Sequence, residues 1–465
     1  MSSSLCDHLR QIHSTAIKSV NGDTIIGNNI SFDRGLVKIN QLNNEVKQFD
    51  LLGKDVYLIG SGKGVLGLCL GFLGALEKQN SDSVKIIKGI ISMPIGIKFD
   101  DHLNLLKKHN ITPYFGGKNN LPDEDSVIAT NAILDLIDNV TSGKMGQSVN
   151  RPIVFITLIT GGASALLVAP KEPLTLTMKR ELTRQLMAAG CTINELNCVR
   201  SCWSKVKAGQ LALRVLSSST NVEMINFIAS DVIGDPIDII GSGPTVLRPN
   251  DSANPLELID IYKLPVDSSI RDLCQQNVKQ SNNVSITDRL HNYIIVSNQV
   301  ALSAAKNLMN SLGYKVIDLG NQISGDASTL GSRFAQIART SDNNEGKICW
   351  IGGGETVVTL PSNPGKGGRC QEMALRFLVD TFNDQLTNFA FLAGGTDGQD
   401  GPTPISGVIY QYNESISSDI YNSAKEYLVN HDSYTFWSTY LPQCMIDTGG
   451  PTGVNVMDIY CLIQC

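Results

Sequence analysis

With 465 residues, 42% of them hydrophobic and 18% charged, the chain has ordinary globular composition and is long enough for two domains with separate cores. A net charge of −6 with no block of lysine or arginine argues against nucleic acid as the main partner, which normally leaves a basic footprint, so any phosphate site must be local. Eleven scattered cysteines without a CxxC pair indicate neither a disulfide framework nor a zinc site, and all six histidines lie outside the glycine-rich motifs, which lowers the case for a histidine-based hydrolase.

In chain order, residues 3–20 have helical apolar spacing, with Asp7 and no apolar core of signal-peptide length. A cytoplasmic address is expected, with a mitochondrial one left open. Polar loops are expected as far as Asp50. Residues 56–59 then read as a strand, Gly60-Ser61-Gly62-Lys63-Gly64 as a turn and residues 65–76 as a buried helix. The glycines and Lys63 interrupt the apolar run too early for a membrane span. A strand at 86–93 ends at Pro94. The same grammar returns at 153–159, followed by Thr160-Gly161-Gly162-Ala163-Ser164. Strands alternating with helices predict a parallel sheet whose ligands bind at the carboxyl ends of the strands, where both turns lie. Helices are expected at 176–189 and 204–216. A strand at 224–229 leads into Ser230-Asp231-Val232-Ile233-Gly234-Asp235-Pro236. A polar stretch with two weak helices, from Asn250 to about Thr287, places a domain boundary near residue 285.

The second half opens with strand 293–296, helix 299–312 and strand 315–319, a βαβ unit of ordinary size. A helix at 326–339 precedes a strand-like run that enters Gly352-Gly353-Gly354-Glu355-Thr356. After a Pro/Asn break come Gly365-Lys366-Gly367-Gly368-Arg369 and a helical spacing from Met373. Glycine lets main-chain N–H groups approach a ligand, and Arg369 falls at a helix start, where free N–H groups and the dipole favour an anion. The stretch reads as an anion cradle or, equally well, as a glycine-rich hairpin with an exposed arginine. Gly394-Gly395-Thr396-Asp397-Gly398-Gln399-Asp400 follows another strand. Asp447-Thr448-Gly449-Gly450-Pro451-Thr452-Gly453-Val454-Asn455 precedes a last one at 459–463.

Gly60 to Val65 makes a weak dinucleotide site, because Val65 replaces the third fingerprint glycine and residues 85–93 hold no acid for a ribose hydroxyl; no Walker sequence occurs anywhere. Lys63 can neutralise a phosphoryl oxygen as a point charge or stay a solvated turn lysine. Gly161, Gly162 and Ser164 form a nest for an oxyanion; a covalent serine would need a base that no histidine motif supplies. Asp231, Asp235, Asp397 and Asp400 sit in glycine-rich turns after strands, as carboxylates do that hold Mg²⁺ or take a hydroxyl proton, although each alone also reads as an Asx-turn cap. Placed cations, N–H groups and Mg²⁺ are what phosphoryl transfer needs.

These motifs resemble the glycerate kinases whose C-terminal half is called the MOFRL domain. The resemblance is carried by the Lys63 turn, by Ser230 to Asp235 with Gly241-Ser242-Gly243-Pro244, by Gly353 to Thr356 with Gly367 to Arg369 and Gln371-Glu372, by Gly395 to Thr403 and by Gly450 to Val456. It implies an α/β protein: an N-terminal Rossmann-like domain with a doubly wound parallel sheet (1–285), a C-terminal MOFRL-type α/β domain (286–465) and an active site in the cleft between them. It further implies phosphorylation of D-glycerate by ATP with Mg²⁺. The family's catalytic lysine and arginine fall on Lys63 and Arg369, with Asp231 as a third catalytic candidate. Gly62, Gly161, Gly162, Ser164, Lys207 (in Val206-Lys207-Ala208-Gly209), Asp235, Gly354, Glu355, Glu372 and Asn455 are candidates for substrate or phosphate binding, and Asp397 and Asp400 for the metal. Partners are small molecules, not nucleic acid or membrane, and the oligomeric state is open, a homodimer included. The chain departs from the family pattern at Gly116 to Asp123, which lacks a histidine and carries Lys118, and at Cys202 and Cys370. An NAD(P)-dependent hydroxypyruvate reductase and a non-catalytic sugar-acid or nucleotide sensor are the competing readings.

Overall fold

The computed structural model describes residues 4–465 apart from 42–44, 79–83, 98, 119–120, 145–150, 218–220, 248–252, 281–286, 342–345, 385, 387 and 413–415. The boundary expected near residue 285, and Asn119 and Asn120 of the departing segment, lie outside the described residues. The chain divides into two compact units. One comprises Gly22–Ser230 and Asp235–Ile295; the other comprises Val296–Cys465 together with Met1–Asn21 and Asp231–Gly234. The first helix, Leu5–Ser19, therefore belongs with the C-terminal residues, burying Leu9, Ile12 and Ala16 there.

In the first unit the expected polar loops before Asp50 are instead a helix, Gly22–Asn29, and three antiparallel strands, β1 (Ile30–Asp33), β2 (Leu36–Asn40) and β3 (Val46–Asp50). The cause is visible in the residues: Ile30, Phe32, Val37 and Ile39 are buried and alternate with more exposed neighbours, the period of a sheet with one solvated face. The main sheet holds β4 (Asp55–Ser61), β5 (Ile86–Pro94), β6 (Ile111–Gly116), β7 (Ile153–Ile159), β8 (Val222–Ala229) and β9 (Leu290–Val296) in the order β6-β5-β4-β7-β8-β9. The pairs among β4 to β8 are parallel. The chain starts at the centre, winds outward through β5 and β6, and returns to β7 beside β4, so the winding direction reverses between β4 and β7. β4 is buried along its whole length, as suits a strand covered on both faces. β6 was not expected, and its sequence shows why: Pro113 interrupts the strand signal and is tolerated because β6 is at the sheet edge.

The second unit carries a mixed sheet of β10 (Lys315–Asp318), β11 (Ile323–Asp326), β12 (Ile348–Val357), β13 (Phe389–Gly395), β14 (Gly407–Gln411), β15 (Met445–Ile446) and β16 (Asp458–Gln464). Its order is β10-β12-β16-β13-β14-β15, with β11 also on β12. The chain's last strand thus fills the middle, antiparallel to β12 and β13 and buried at all seven residues. Its first residue, Asp458, stands in register with Gly354 on one side and Gly395 on the other. Phe334, Phe377, Phe391, Trp437 and Tyr460 centre the core of this unit.

Candidate active site

The two glycine turns of the first unit leave neighbouring strands at the reversal point and are sewn together. Lys63 N donates to Gly161 O (2.7 Å), Gly64 N to Thr160 Oγ1 (3.0 Å) and Thr160 N to Ser61 O (3.1 Å). Gly62 has φ +134°, and a Cβ there would overlap the Thr160 side chain. A Cβ on Gly162 (φ +82°) would come 2.8 Å from Lys63 Cγ, so the glycine makes room for the lysine stem to lie across the second turn. Thus Gly62, Lys63, Gly161 and Gly162 are brought together at the start of helix Val65–Lys78, with Lys63 partly exposed.

Ser164 and Lys207 join this group. Lys207 Nζ donates to Ser164 O (2.9 Å) and Ser242 Oγ (3.2 Å), and the Ser164 and Ser242 hydroxyls are 3.0 Å apart. Lys207 is buried, and burial together with the positive charges of Arg200 and Lys179 pushes its ammonium pKa well below the usual lysine range. The loops around it are held in left-handed conformations, Ala208 at φ 50° and Ser242 at φ 67°, and cross-linked by Ala208 N to Ser242 O and Gly209 N to Gly243 O. Non-glycine residues at such angles are sustained only where the surroundings over-determine them. Ala208 holds an angle that glycine adopts without strain. Asp235, also left-handed at φ 55°, is partly exposed after β8; Asp231, partly exposed too, falls in the second unit.

In the second unit the expected anion cradle holds anions of the protein's own. Arg369 opens helix Arg369–Thr381, as expected, but its fork grips Asp458: Nε to Oδ2 at 2.6 Å and Nη2 to Oδ1 at 2.8 Å, with Glu355 Oε1 2.9 Å from Nη1. Burial alone would lower the arginine pKa, yet the Asp458 pair outweighs it and raises the value. The hairpin reading with an exposed arginine is corrected by the same contacts. Tyr460 OH donates to Asp458 Oδ2 as well (2.8 Å). The helix N–H groups are taken by Asp400, which accepts from Cys370 N (3.1 Å) and Gln371 N (2.9 Å), and from Gln371 Nε2 (2.9 Å). Gly368 is glycine because a Cβ there would strike this carboxylate, and Gly367 because it faces Ser433. Gly354 (φ +148°) has no room for a Cβ beside the Ile323 backbone. Glu372 is buried between Ser328 Oγ (3.1 Å) and His431 Nδ1 (2.9 Å).

The metal role expected of Asp400 therefore meets a buried carboxylate with both oxygens occupied; burial first, and the charge of Asp458, push its pKa up to about 6 against the hydrogen bonds that lower it. Asp397 is partly exposed and accepts from Gln399 N (3.1 Å) in an Asx turn, and Asn455 Oδ1 accepts from Met457 N (3.1 Å). Among the described residues, no group of three or more His, Cys, Asp or Glu side chains is placed to hold a metal ion. Two of the family departures are core thiols: Cys202 and Cys370 are fully buried, and burial raises the Cys370 pKa, so neither presents a nucleophile. Lys118 is exposed, with its N–H on Asp123 Oδ2 (2.9 Å).

Sequence reasoning missed Asp458, Ser242, Lys179 and Arg200. Asp458 lies one residue before the strand expected at 459–463, where nothing marks it as the partner of an arginine 89 positions earlier. Ser242 was legible inside Gly241-Ser242-Gly243-Pro244.

Residues 8–275 match a family described as a domain of unknown function, DUF4147, and residues 348–458 match the MOFRL family. A glycerate kinase of Danio rerio is 31% identical over 99% of this chain and 98% of its own length. A glycerate 2-kinase of Pyrococcus horikoshii is 29% identical over 89% of this chain and 88% of its own. The crystal structure of a glycerate kinase from Thermotoga maritima shares the fold with a TM-score of 0.78, at 24% identity, over 99% of each chain. On these full-length likenesses, carried through both units, the chain belongs to the MOFRL-domain family of glycerate kinases.

Proposed function

We propose that the chain is an ATP-dependent kinase that phosphorylates D-glycerate, with the first unit's interleaved glycine turns receiving the phosphates. The observation that carries this reading is Lys63: a partly exposed cation on a glycine turn at a helix start, its stem laid over Gly162, beside main-chain N–H groups. Such a cation stabilises charge on a transferring phosphoryl group without covalent chemistry. Gly62, Gly161 and Gly162 hold the two turns together beneath that cation, and Ser164 offers its hydroxyl. Asp231 and Asp235, partly exposed after β8, are the candidate carboxylates for accepting the acceptor's hydroxyl proton. Arg369 acts with the donors that Asp458 and Glu355 leave over, held in one orientation by that pair. Gly354, Glu372 and Asn455 are the second unit's further candidates for substrate contact.

Mg²⁺ bound with the nucleotide would supply charge neutralisation at the phosphates and would need one or two carboxylates from the protein. Asp397, partly exposed, is the candidate to hold it, while Asp400 is spent on the helix start. The 2-hydroxyl is the proposed acceptor, as in the name of the Pyrococcus relative. The absence of a dinucleotide acid stands against the reductase alternative. Incubating protein, ATP, Mg²⁺ and D-glycerate should yield ADP and 2-phosphoglycerate. No ADP, with NADH consumed on hydroxypyruvate instead, would overturn the assignment.

A further inference from the structure

Beside the Lys207 cluster lies a cavity of about 690 Å³ walled by helices Leu176–Ala188 and Ile193–Cys202 and by the Leu121-Pro122 and Ser164–Val168 segments. Val168, Leu176, Met187 and Leu196 make an apolar wall. Against it stand Lys179, Arg200 and Lys207. Among the described residues Lys207 Nζ bonds only neutral oxygens, those of Ser164 and Ser242, and the bond of Arg200 is to Asn197 Oδ1 (3.4 Å). Lys179 is 5% exposed and its Nζ has no hydrogen-bond partner among the described residues. Glu181, the acid on the rim, is exposed and bound to Arg184 and Gln185. A buried amine with no partner, beside two more cations and no carboxylate in bond with any of them, is costly unless a ligand supplies the charge.

We propose that this cavity binds the carboxylate of the acceptor, with Lys179, Arg200 and Lys207 as its cations. The proposal rests on the glycerate kinase reading. A carboxylate is assigned here, and not a phosphate, because the phosphate reading belongs to the Lys63 cation at the start of helix Val65–Lys78, whereas this cavity offers side-chain cations on an apolar wall. Ser164 belongs both to the second glycine turn and to the cavity lining, so an acid anchored here lies next to the phosphate turns. A small hydroxy acid, with its anion a few bonds from the hydroxyl, has the right size for that division of labour.

Burial, then the charge of Arg200, lowers the Lys179 pKa to about 7. A lysine with its folded pKa depressed is neutral above that value, and its protonation costs stability as pH falls through it. An incoming anion raises the pKa again, so binding draws in a proton and tightens as pH falls from 8 to 6. Arg180, Glu181 and Arg184 on its own helix, Arg200 on the next and Lys207 beyond it are the other charged groups lining the cavity, and Lys207 shares in the proton uptake.

The test is Lys179→Met, with Lys179→Arg as its partner. Removing an unpartnered buried amine should raise the melting temperature, so a folding failure is not the expected outcome. KM for D-glycerate should rise roughly tenfold or more with KM for ATP unchanged, and Lys179→Arg should recover most of the loss with a flatter pH dependence. Calorimetric titration of D-glycerate without nucleotide should show proton uptake that is smaller in Lys179→Met. An unchanged glycerate KM in an active Lys179→Met enzyme would overturn the proposal, as would a rise in the ATP KM alone, which would make the cavity a phosphate site. Should the wild type make no ADP, the kinase reading fails by itself, and the titration still decides whether this cavity takes a carboxylate.

Discussion

The glycine loops of the two units look alike in sequence and do opposite things. In the first unit, Gly62 and Gly162 let two turns interleave and leave cations over: Lys63 partly exposed, Lys179 without a partner. In the second unit, Gly367, Gly368 and Gly354 let the protein's own groups come close, and the anions there are internal. Asp400 takes the helix N–H groups and Asp458 takes the Arg369 fork. A glycine cradle thus tells a reader that something approaches the backbone closely, but not whether it is a ligand or a carboxylate from 30 or 89 residues away. The first kind leaves side-chain cations over. The second is already satisfied and positions what it holds.

Two substitutions break this contrast at its extremes. Asp458→Ala removes the fully buried partner of Arg369 and leaves a largely buried guanidinium without its carboxylate, at a cost of about 3 kcal/mol in folding stability. Chemical denaturation and thermal melting check this; a variant as stable as the wild type would mean that the pair is not the clamp of the second unit. Lys63→Ala should do the reverse. It removes a partly exposed cation, so the melting temperature should hold while kcat/KM falls about 10²-fold, about 2.7 kcal/mol. Wild-type turnover in that variant would reassign Lys63 to the surface and move the phosphate site elsewhere.

How much of this was legible follows from the range of the signals involved. Local ones carried far: strand, glycine turn and buried helix at 56–76, the same at 153–166, and the helix start at Arg369 are all where periodicity and glycine placed them. The small sheet at Ile30–Asp50 was legible in the alternation of Ile30, Phe32, Val37 and Ile39 but was masked by polar residues on its solvated face. Pairings were not legible. Nothing local joins Arg369 to Asp458, or Lys179 to Lys207, since those contacts come from the order in which strands and helices pack. Nor could it be told from sequence that Leu5–Ser19 joins the C-terminal unit, because an amphipathic helix names its buried face and not what covers it.

The smallest effect, and the sharpest test of whether the second unit contributes to catalysis, is Arg369→Lys. The sequence alone suggests a change confined to rate, since a fork aimed at a ligand would lose its second donor while the fold stayed indifferent. The Asp458 pair alters that expectation. Lysine keeps the charge but meets Asp458 with one point of contact in place of two, and cannot reach Glu355 at the same time from a planar fork. Two readouts should therefore move together: kcat/KM for D-glycerate down about tenfold, about 1.4 kcal/mol, and a melting temperature lowered, though by less than in Asp458→Ala. The pattern of the two decides the role. A fall in rate with no fall in stability would mean that Arg369 spends its fork on the substrate during turnover and that the Asp458 contact is relinquished. A fall in stability with unchanged rate would make the arginine a structural clamp only, and the chemistry would have to be carried by Lys63 and the cations around Lys207.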